Sequence, residues 1–299
     1  MPVSDLESRP HGVWAGEPDR LDRVLPSLGL ARSRSRAAEM IAAGDVTVDG
    51  APAVKTGLRV GSGSRIEVAG GDHYVSRAAH KLISALDRFG IDPAGLIALD
   101  LGASTGGFTQ VLLERGARAV QAIDVGHDQL AAQLREDPRV RLVEGRNARE
   151  LTAENLAEDT GIAEAPGLVV ADLSFISLTL VFPAIARCAH RDADLVLLIK
   201  PQFEVGRVRD GVVTNRSQWA EAIRKVLLAA AENSYEPRNL EESPVRGGSG
   251  NREFLVHLVH RESERGAVSH RGEWDERIAA LCGVGPAIAS PDVRADGAR

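Results

Sequence analysis

Four charged side chains lie at positions where an apolar core would not place them. Lys200 ends the apolar run DLVLLIK, Asp172 follows the run GLVVA, and Glu253 begins the run EFLVHLVH. Lys81 lies within AAHKLISALDRF, a stretch with helical periodicity. A single lysine at a strand end is usually a surface residue whose ammonium group reaches solvent. Two opposite-charge pairs around one crevice indicate a polar site where a ligand binds.

A glycine-containing loop lies in the same part of the chain. The run IALDLG, the small residues ASTGG and an amphipathic stretch predict a strand, a tight turn and a helix over 97–114. Such a loop brings backbone N–H groups and a helix N-terminus to a ligand. Its spacing, G-x-x-x-G-G, differs from the G-x-G-x-x-G of nicotinamide sites. Asp124 ends the next apolar run, where a carboxylate can accept hydrogen bonds from a ribose. A dinucleotide, a phosphate and S-adenosylmethionine all remain possible ligands of this loop.

The elements around these residues predict an α/β fold. Apolar runs alternate with helical stretches, which is typical of a parallel sheet with helices on both faces. A helix with Ser76 as its N-cap precedes them. In such a sheet the carboxyl ends of the strands meet at one edge, so Asp124, Asp172 and Lys200 should lie there together with the glycine loop. The predicted strands are 97–102, 119–124, 140–145, 167–173, 194–200 and 252–260, and the predicted helices between them lie near 107–115, 127–136, 178–189 and 217–233.

The composition is that of an ordinary globular protein. The chain has 299 residues, of which 43% are apolar and 26% charged. No apolar run approaches the roughly 18 residues of a membrane helix, and the N-terminus lacks the apolar core of a secretory signal. Cys188, Cys282 and the histidines show no metal-binding spacing. We therefore expect a cytoplasmic protein with free thiols and no bound metal, whose oligomeric state the sequence leaves open.

The N-terminal part of the chain has a different pattern. Residues 1–18 are polar, and we expect them to be disordered. The next stretch, RLDRVLPSLGLARSRSRAAEMIAAGDVTVDG, predicts two short helices, a helix end at Gly44 and a hairpin that turns at Asp49-Gly50. The whole chain has a net charge of −6, but residues 19–81 carry an excess of basic residues. The arginines of the quoted stretch either bind a polyanion or form a solvated helix face. They are Arg20, Arg23, Arg32, Arg34 and Arg36.

This stretch resembles the S4 RNA-binding domain, with its pattern R-LD--L---GLA-SR--A---I--G-V-V-G. The resemblance implies that the arginines named above bind the phosphate backbone of structured RNA. A guanidinium group suits that role because it is permanently charged and has a forked shape.

Five motifs later in the chain resemble the TlyA family of S4-domain ribosomal RNA 2′-O-methyltransferases, often labelled hemolysins. They are SRAAHKL, DLGASTGGFTQVLLERGA, ADLSFISL, LIKPQFEVG and GNREFLVHL. This part of the chain is similar to the wider FtsJ/RrmJ-like group, which implies a Rossmann-like class I methyltransferase fold with a mostly parallel seven-stranded sheet. It also implies methylation of a cytidine in 16S and, in some members, 23S rRNA, on assembled ribosomal subunits.

The same resemblance assigns the site residues. It implies a catalytic set made of Lys81, Asp172, Lys200 and Glu253. It implies that S-adenosylmethionine is bound by Asp100, Gly102, Ser104, Gly106 and Gly107, with Asp124 at the ribose.

These observations together predict five segments. They are a disordered tail (1–18), an S4-like domain (19–72), a linker (73–77), an FtsJ-like methyltransferase domain (78–262) and a C-terminal tail (263–299) with one helix followed by disorder. The linker region departs from the family, which commonly carries an Arg-Ala-Trp-type tetrapeptide where this chain has Asp72-His73-Tyr74-Val75. If that region couples RNA docking to donor binding in this chain, Tyr74 must serve with a different ring.

Lys200 is the residue that we expect nearest to the ribose 2′-hydroxyl. A general base would need a neutral amine, which burial and the neighbouring Lys81 favour, whereas Asp172 and Glu253 favour the ammonium form. An ammonium group would instead donate to the hydroxyl oxygen and orient it. The sequence leaves both roles open.

Alternatives also remain for the neighbouring aromatic residues and for the function as a whole. Phe175 and Phe203 follow two of the motif residues and could either stack on a base or on adenine, or pack in the core. A nucleotide-dependent oxidoreductase is disfavoured by the glycine spacing. A non-catalytic RNA-binding or membrane-lytic protein is the other alternative, although the sequence shows no amphipathic segment long enough for lysis.

Overall fold

The computed structural model describes residues 11–31, 33–68, 74–206, 208–263 and 271–285. The chain divides into two units, Met1–His73 and Tyr74–Arg299. The disorder predicted for residues 1–10 and for the C-terminal end, and the RNA-binding role predicted for Arg32, concern positions outside the described residues.

The first unit combines two helices with short antiparallel strands. The predicted helices are confirmed, as are the end at Gly44, with a left-handed φ of 81°, and the turn at Asp49-Gly50, where Val48 pairs with Ala51. The helices are α1 (Leu21–Ser27) and α2 (Arg34–Ala43). The strands are β1 (His11–Val13), β2 (Asp19–Arg20), β3 (Val46–Val48), β4 (Ala51–Pro52), β5 (Arg59–Val60) and β6 (Arg65–Val68). One sheet has the order β1-β6-β3-β4, and β2 pairs with β5.

Strand β1 lies in the segment that the sequence predicts to be disordered, and that prediction is wrong for residues 11–13. The strand pairs antiparallel with β6, with His11 opposite Glu67. The N–H of Trp14 then donates to the carbonyl of Ser64 at 3.0 Å. Val13 is 54% exposed, so the strand is held by backbone hydrogen bonds more than by apolar burial. Such a strand leaves no apolar pattern in the sequence.

The second unit contains the predicted seven-stranded sheet. Its strands are β7 (Ile97–Leu101), β8 (Ala119–Ile123), β9 (Val140–Val143), β10 (Leu168–Ala171), β11 (Asp194–Ile199), β12 (Tyr235–Glu242) and β13 (Phe254–His260). Their order in the sheet is β12-β13-β11-β10-β7-β8-β9. The five strands from β7 to β11 run parallel to one another, whereas β13 runs antiparallel to β11 and to β12.

Helices cover both faces of this sheet. Alternate residues of β11 separate into two apolar clusters, with Leu195 and Leu197 in one and Val196 and Leu198 in the other. This arrangement confirms the predicted Rossmann-like class of fold. The helices are α3 (Ala79–Phe89), α4 (Gly107–Glu114), α5 (Ala132–Arg135), α6 (Ala153–Thr160), α7 (Phe182–Cys188), α8 (Pro201–Glu204), α9 (Arg216–Glu232) and α10 (Arg271–Cys282), with 3₁₀ turns at Ala148–Glu150, Leu178–Leu180 and Arg209–Gly211.

Several details of this unit differ from the prediction. Strand β12 is absent from the prediction because it is polar and contains Pro237, both of which an edge strand tolerates. Helix α6 was also not predicted, because it buries only Leu156 and Thr160. Helix α3 begins at Ala79, not next to Ser76. The Ser76 hydroxyl accepts from the Ala78 N–H at 3.2 Å, so it stabilises the turn before the helix.

The predicted helix near the C-terminus is confirmed as α10, and it belongs to the core of the second unit. Ile278 and Cys282 are buried in the same apolar cluster as residues of β11 and β13. Cys188 and Cys282 are both free thiols, as expected. Burial raises the pKa of Cys188 to about 11, so this thiol is unreactive at neutral pH.

Candidate active site

The loop between β7 and α4 turns on two glycines with left-handed backbone conformations. Gly102 has a φ of 86° and Gly106 a φ of 97°. A Cβ on Gly106 would lie 2.2 Å from Leu134 Cδ1, and a Cβ on Gly107 would lie 2.8 Å from Ser76 Cβ. The backbone conformation and the close packing therefore both require glycine in this loop.

The carboxylate of Asp124, at the end of β8, holds the loop. Its Oδ2 accepts from the Ser104 N–H at 2.7 Å, and its Oδ1 accepts from the Gly126 N–H at 2.7 Å. Ser104 has a φ of 48°, and its hydroxyl donates to Gln129 Oε1 at 3.1 Å. A side chain at positive φ is a strained arrangement of the kind found at ligand sites. Asp124 thus fixes a strained loop at the sheet edge where the sequence predicts it.

Two cavities open beside this loop. The larger, of about 810 Å³, is bounded by the loop, the end of β8 and the segment after β10. The smaller, of about 140 Å³, is bounded by the loop, Lys200 and the turn before α3. Because Gly102, Ser104, Asp172 and Ser174 line both, the two spaces adjoin at the loop.

Asp100 is the predicted donor-binding residue that lies apart from these cavities. Its side chain is fully buried, and it lines neither cavity as the described residues form them. Thr109 Oγ1 donates to its Oδ2 at 2.6 Å, and within the described part of the chain its Oδ1 has no hydrogen-bond partner. Burial raises the pKa of Asp100 to about 7, and the nearby Asp172 and Asp124 add to that shift. This hydrogen bond ties β7 to α4, and the contact of Asp100 with the donor stays a prediction.

We expect this carboxyl group to make the stability of the protein depend on pH. Its pKa is about 7 in the folded chain against an ordinary value of 3.8. Between pH 3.8 and pH 7 the folded state therefore binds a proton at Asp100 that the unfolded state has lost. The contribution of this carboxyl group to the stability of the fold is greatest below pH 3.8 and falls as the pH rises to about 7. Asp100→Asn cannot ionise. In urea denaturation it should therefore lose less stability than the wild type between pH 5 and pH 8, by on the order of 2 kcal/mol. Parallel profiles for the two proteins would contradict this.

The four charged residues of the predicted catalytic set meet in one cluster. Lys200 Nζ lies 2.6 Å from Asp172 Oδ1, and Lys81 Nζ lies 2.6 Å from Glu253 Oε2. Lys81 Nζ is also 3.5 Å from Asp172 Oδ2, so the Asp172 carboxylate joins the two lysines. The cluster is nearly buried, with the Lys200 side chain 9% exposed and that of Glu253 2%. Desolvating four charges is costly and rarely stabilises a fold, so the cluster indicates a functional site.

The register of the sheet explains why these residues converge. Ile199 of β11 pairs with Phe254 of β13 in antiparallel fashion, so the adjoining residues Lys200 and Glu253 lie side by side. Strand β10 runs parallel to β11, which brings Asp172 out at the same edge. Helix α3 packs against β13 and carries Lys81 to the cluster. The sheet edge therefore brings together the residues that the sequence predicts there.

The segment that follows β10 is held at two points by residues around α8. Lys200 Nζ donates to Ser174 Oγ at 2.9 Å. Glu204, which is 2% exposed, accepts from the Leu178 N–H at 2.8 Å and from the Ser177 hydroxyl. Burial raises the pKa of the Glu204 carboxyl, although these two hydrogen bonds oppose the shift. The segment over the cavities is thus anchored on both sides.

Phe175 lies between these two anchors and points away from the core. It has a φ of 64° and a side chain that is 92% exposed, so the alternative that it packs in the core is wrong. The ring centroid of Phe203 lies 5.3 Å from that of Phe175, and both residues border the larger cavity. The pair offers an exposed aromatic surface beside the cluster.

Sequence reasoning missed Asn147, which also lines the larger cavity. Its side chain accepts from the Arg149 N–H at 3.1 Å and begins the 3₁₀ turn after β9. The residues around Asn147 show no familiar motif spacing. Its position after a parallel strand was the available indication, because that strand ends at the same sheet edge.

In the first unit, the predicted arginines that the structure describes pair with carboxylates. Arg20 Nε lies 2.9 Å from Asp22 Oδ1, and Arg34 Nη2 lies 3.0 Å from Asp22 Oδ2. The structure thus brings Arg20 and Arg34 together on one carboxylate. The other two pair with separate acids, Arg23 with Asp19 and Arg36 with Glu39.

Two further findings concern the other predicted properties. Within the described ranges, no helix is both long enough and apolar enough to cross a membrane. The described residues also include no group of three or more His, Cys, Asp or Glu side chains that could hold a metal ion.

Comparison with known families gives a match for each unit. The FtsJ-like methyltransferase model matches residues 74–260, and the S4 domain model matches residues 19–66. The first of these matches covers most of the second unit, including every residue of the glycine loop and the charged cluster.

Similar proteins span nearly the same length. The 16S/23S rRNA (cytidine-2′-O)-methyltransferase TlyA of Mycobacterium tuberculosis is 49% identical over 80% of this chain and 89% of that protein. Hemolysin A of Brachyspira hyodysenteriae is 37% identical over 80% of this chain and 99% of that protein. A solved structure of a candidate hemolysin from Streptococcus thermophilus has a TM-score of 0.67 and 35% identity, covering 90% of this chain and 96% of that one.

Proposed function

This chain belongs to the FtsJ-like methyltransferase family and carries an S4 domain, and from that premise we propose that it methylates a ribose 2′-hydroxyl of ribosomal RNA with S-adenosylmethionine. The observation that carries the proposal is the buried cluster of Lys81, Asp172, Lys200 and Glu253 beside the glycine loop. The relative named as a cytidine-2′-O-methyltransferase supports cytidine as the target. We assign RNA docking to the predicted domain 19–72 and methyl transfer to the predicted domain 78–262.

The glycine loop and Asp124 are suited to hold the methyl donor. Gly102 and Ser104 line both cavities. A Cβ at Gly106 would clash with Leu134, and a Cβ at Gly107 would clash with Ser76, so side chains there would displace the loop. The Asp124 carboxylate lies at the larger cavity, where it can accept hydrogen bonds from a ribose. When bound, S-adenosylmethionine supplies a methyl group on a sulfonium, which needs little further activation.

Lys200 and Asp172 are suited to orient the accepting hydroxyl. The Lys200 ammonium has Asp172 Oδ1 at 2.6 Å and Ser174 Oγ at 2.9 Å, and these two contacts fix its position at the cavity. A charged Lys200 donates to the 2′-oxygen and aligns it for in-line attack. Asp172 is the carboxylate next to Lys200 that can take up the hydroxyl proton. The exposed Phe175 ring offers a surface on which the target base can stack.

RNA docking should depend on the arginines of the first unit. Arg20→Glu combined with Arg34→Glu should weaken binding to purified ribosomal subunits by about tenfold or more and make the affinity less dependent on salt. The physical reason is that fewer phosphates are neutralised. Arg118→Glu, which reverses an exposed arginine of the second unit, is the matched control and should change neither quantity. An unchanged salt slope in the double variant would show that these arginines form only a solvated face.

Transfer of labelled methyl groups separates the candidate functions. Purified 30S and 50S subunits, and the free rRNA of each, are incubated with the protein and tritiated S-adenosylmethionine. We expect label in the rRNA of a subunit and much less in free rRNA. An oxidoreductase or a non-catalytic RNA-binding protein would leave all four samples unlabelled, and lysis of red cells without labelling would support a membrane-lytic protein.

A further inference from the structure

One carboxylate in the first unit contacts two of the arginines assigned to RNA docking. Asp22 Oδ1 accepts from Arg20 Nε at 2.9 Å, and Asp22 Oδ2 accepts from Arg20 Nη2 at 3.3 Å. The same Oδ2 accepts from Arg34 Nη2 at 3.0 Å. Arg20 precedes α1 and Arg34 begins α2, so Asp22 connects groups that are 14 residues apart in sequence. The two guanidinium groups therefore lie side by side.

The exposure of these three side chains is unequal. Asp22 is 8% exposed, whereas Arg20 is 46% exposed and Arg34 is 57% exposed. An ordinary surface ion pair has both partners in solvent and contributes little to stability. Here the carboxylate lies in the protein and the guanidinium groups face outward. A buried carboxylate thus holds two exposed guanidinium groups at the protein surface.

The backbone holds Asp22 in place. It lies in the first turn of α1, where its negative charge suits the helix dipole, and its N–H donates to the Thr56 carbonyl at 3.2 Å. The hydrogen bond from Arg20, assisted by Arg34, keeps the pKa of the Asp22 carboxyl below its ordinary value. The group is thus a full negative charge at neutral pH, and it can hold both arginines.

We propose that Asp22 is a positioning residue for RNA binding, which holds Arg20 and Arg34 in the paired arrangement that neighbouring phosphates require. The proposal rests on the proposed function, because it assumes that these two arginines contact RNA. A guanidinium has five N–H donors in a rigid fork, so its orientation decides how many of them reach a phosphate. Fixing that orientation before binding reduces the ordering cost of association.

The proposal predicts an effect opposite in sign to that of simple charge. Asp22→Asn removes a negative charge beside a surface that binds a polyanion, which by charge alone would tighten RNA binding. Loss of the Asp22 ion pairs with Arg20 and Arg34 should instead weaken binding to purified 50S and 30S subunits by about tenfold. It should also reduce the salt dependence of the affinity by the equivalent of about one phosphate contact. Glu67→Gln is the matched control, because Glu67 lies in the same unit and pairs at 2.6 Å with Arg65, which is not among the five arginines. It should leave the affinity unchanged or slightly tighter.

A second comparison keeps the test informative if Asp22→Asn lowers stability. The same change is made in a chain that already carries Arg20→Gln and Arg34→Gln. A residue that acts through those arginines has nothing left to position, so Asp22→Asn should then have no further effect on affinity or raise it slightly. A loss of equal size in both backgrounds, or tighter binding in the wild-type background, would overturn the proposal. If reversal of Arg20 and Arg34 also leaves binding unchanged, the assignment of RNA docking to these arginines fails instead.

Discussion

Lys200→Ala should lower the single-turnover rate of methyl transfer by about a hundredfold or more while leaving donor affinity nearly unchanged. Lys200 ends an apolar strand, and its ammonium lies 2.6 Å from Asp172 in a nearly buried cluster. Alanine removes the N–H donors that would orient the 2′-hydroxyl. The measurement uses saturating subunits and donor, so that only the chemical step is observed. Arg118→Ala, at an exposed cation of the second unit outside the cluster, is the control and should retain the wild-type rate.

The pH dependence of the wild-type rate distinguishes the two roles of Lys200. A general base must lose its proton, so the rate would rise with pH until the amine is neutral. A charged orienting group gives a rate that stays flat through neutral pH and falls only when the ammonium deprotonates. We expect the flat profile, because Lys200 Nζ donates to Ser174 Oγ at 2.9 Å and lies 2.6 Å from Asp172 Oδ1, which is the arrangement of an orienting donor. A wild-type rate for Lys200→Ala would exclude both roles and leave Asp172 to be tested as the sole polar catalyst.

Gly106→Val should lower the affinity for S-adenosylmethionine by about tenfold to a hundredfold. The added side chain meets Leu134 Cδ1 at 2.2 Å and Leu130 Cδ1 at 2.9 Å, and it must adopt a φ of 97° that valine avoids. Asp124→Ala should act in the same direction, because it removes the acceptor of the Ser104 N–H. Isothermal titration calorimetry with S-adenosylmethionine measures both variants.

A second glycine provides the control for backbone strain. Gly116 also has a left-handed φ, of 82°, but its nearest neighbour is Ala94 and it lies outside the cavities as described. Gly116→Val should reduce the melting temperature and leave donor affinity intact. Normal donor affinity in both Gly106→Val and Asp124→Ala would mean that the donor binds elsewhere.

The parallel sheet could be predicted because its strands are buried on both faces and therefore apolar throughout. The runs that became β7, β10 and β11 show this pattern, and the rule that strand ends meet at one edge placed Asp172 beside Lys200. Strands β1 and β12 could not be recognised in this way. Each lies at the edge of its sheet, where backbone pairing holds a strand that has few buried side chains.

The parts of the site that escaped prediction depend on tertiary contacts. A motif places Asp100 at a strand end, but only the fold shows that its carboxyl group is fully buried and accepts a hydrogen bond from Thr109. The exposure of Phe175 follows from a positive φ, which its residue type does not predict. The pairing of Arg20 with Arg34 requires two helices to meet at Asp22. Short-range patterns identified the residues, and long-range packing determined what each one contacts.

The identity of the methylated nucleoside tests the central claim most directly. Subunits are treated with the protein and S-adenosylmethionine that carries a deuterated methyl group, and the rRNA is digested to nucleosides for mass spectrometry. Our account predicts a deuterated methyl group on the ribose of cytidine, and none when Lys200→Ala replaces the wild type. A deuterated methyl group on a base, or no incorporation by a protein that binds the donor and the subunits, would contradict it.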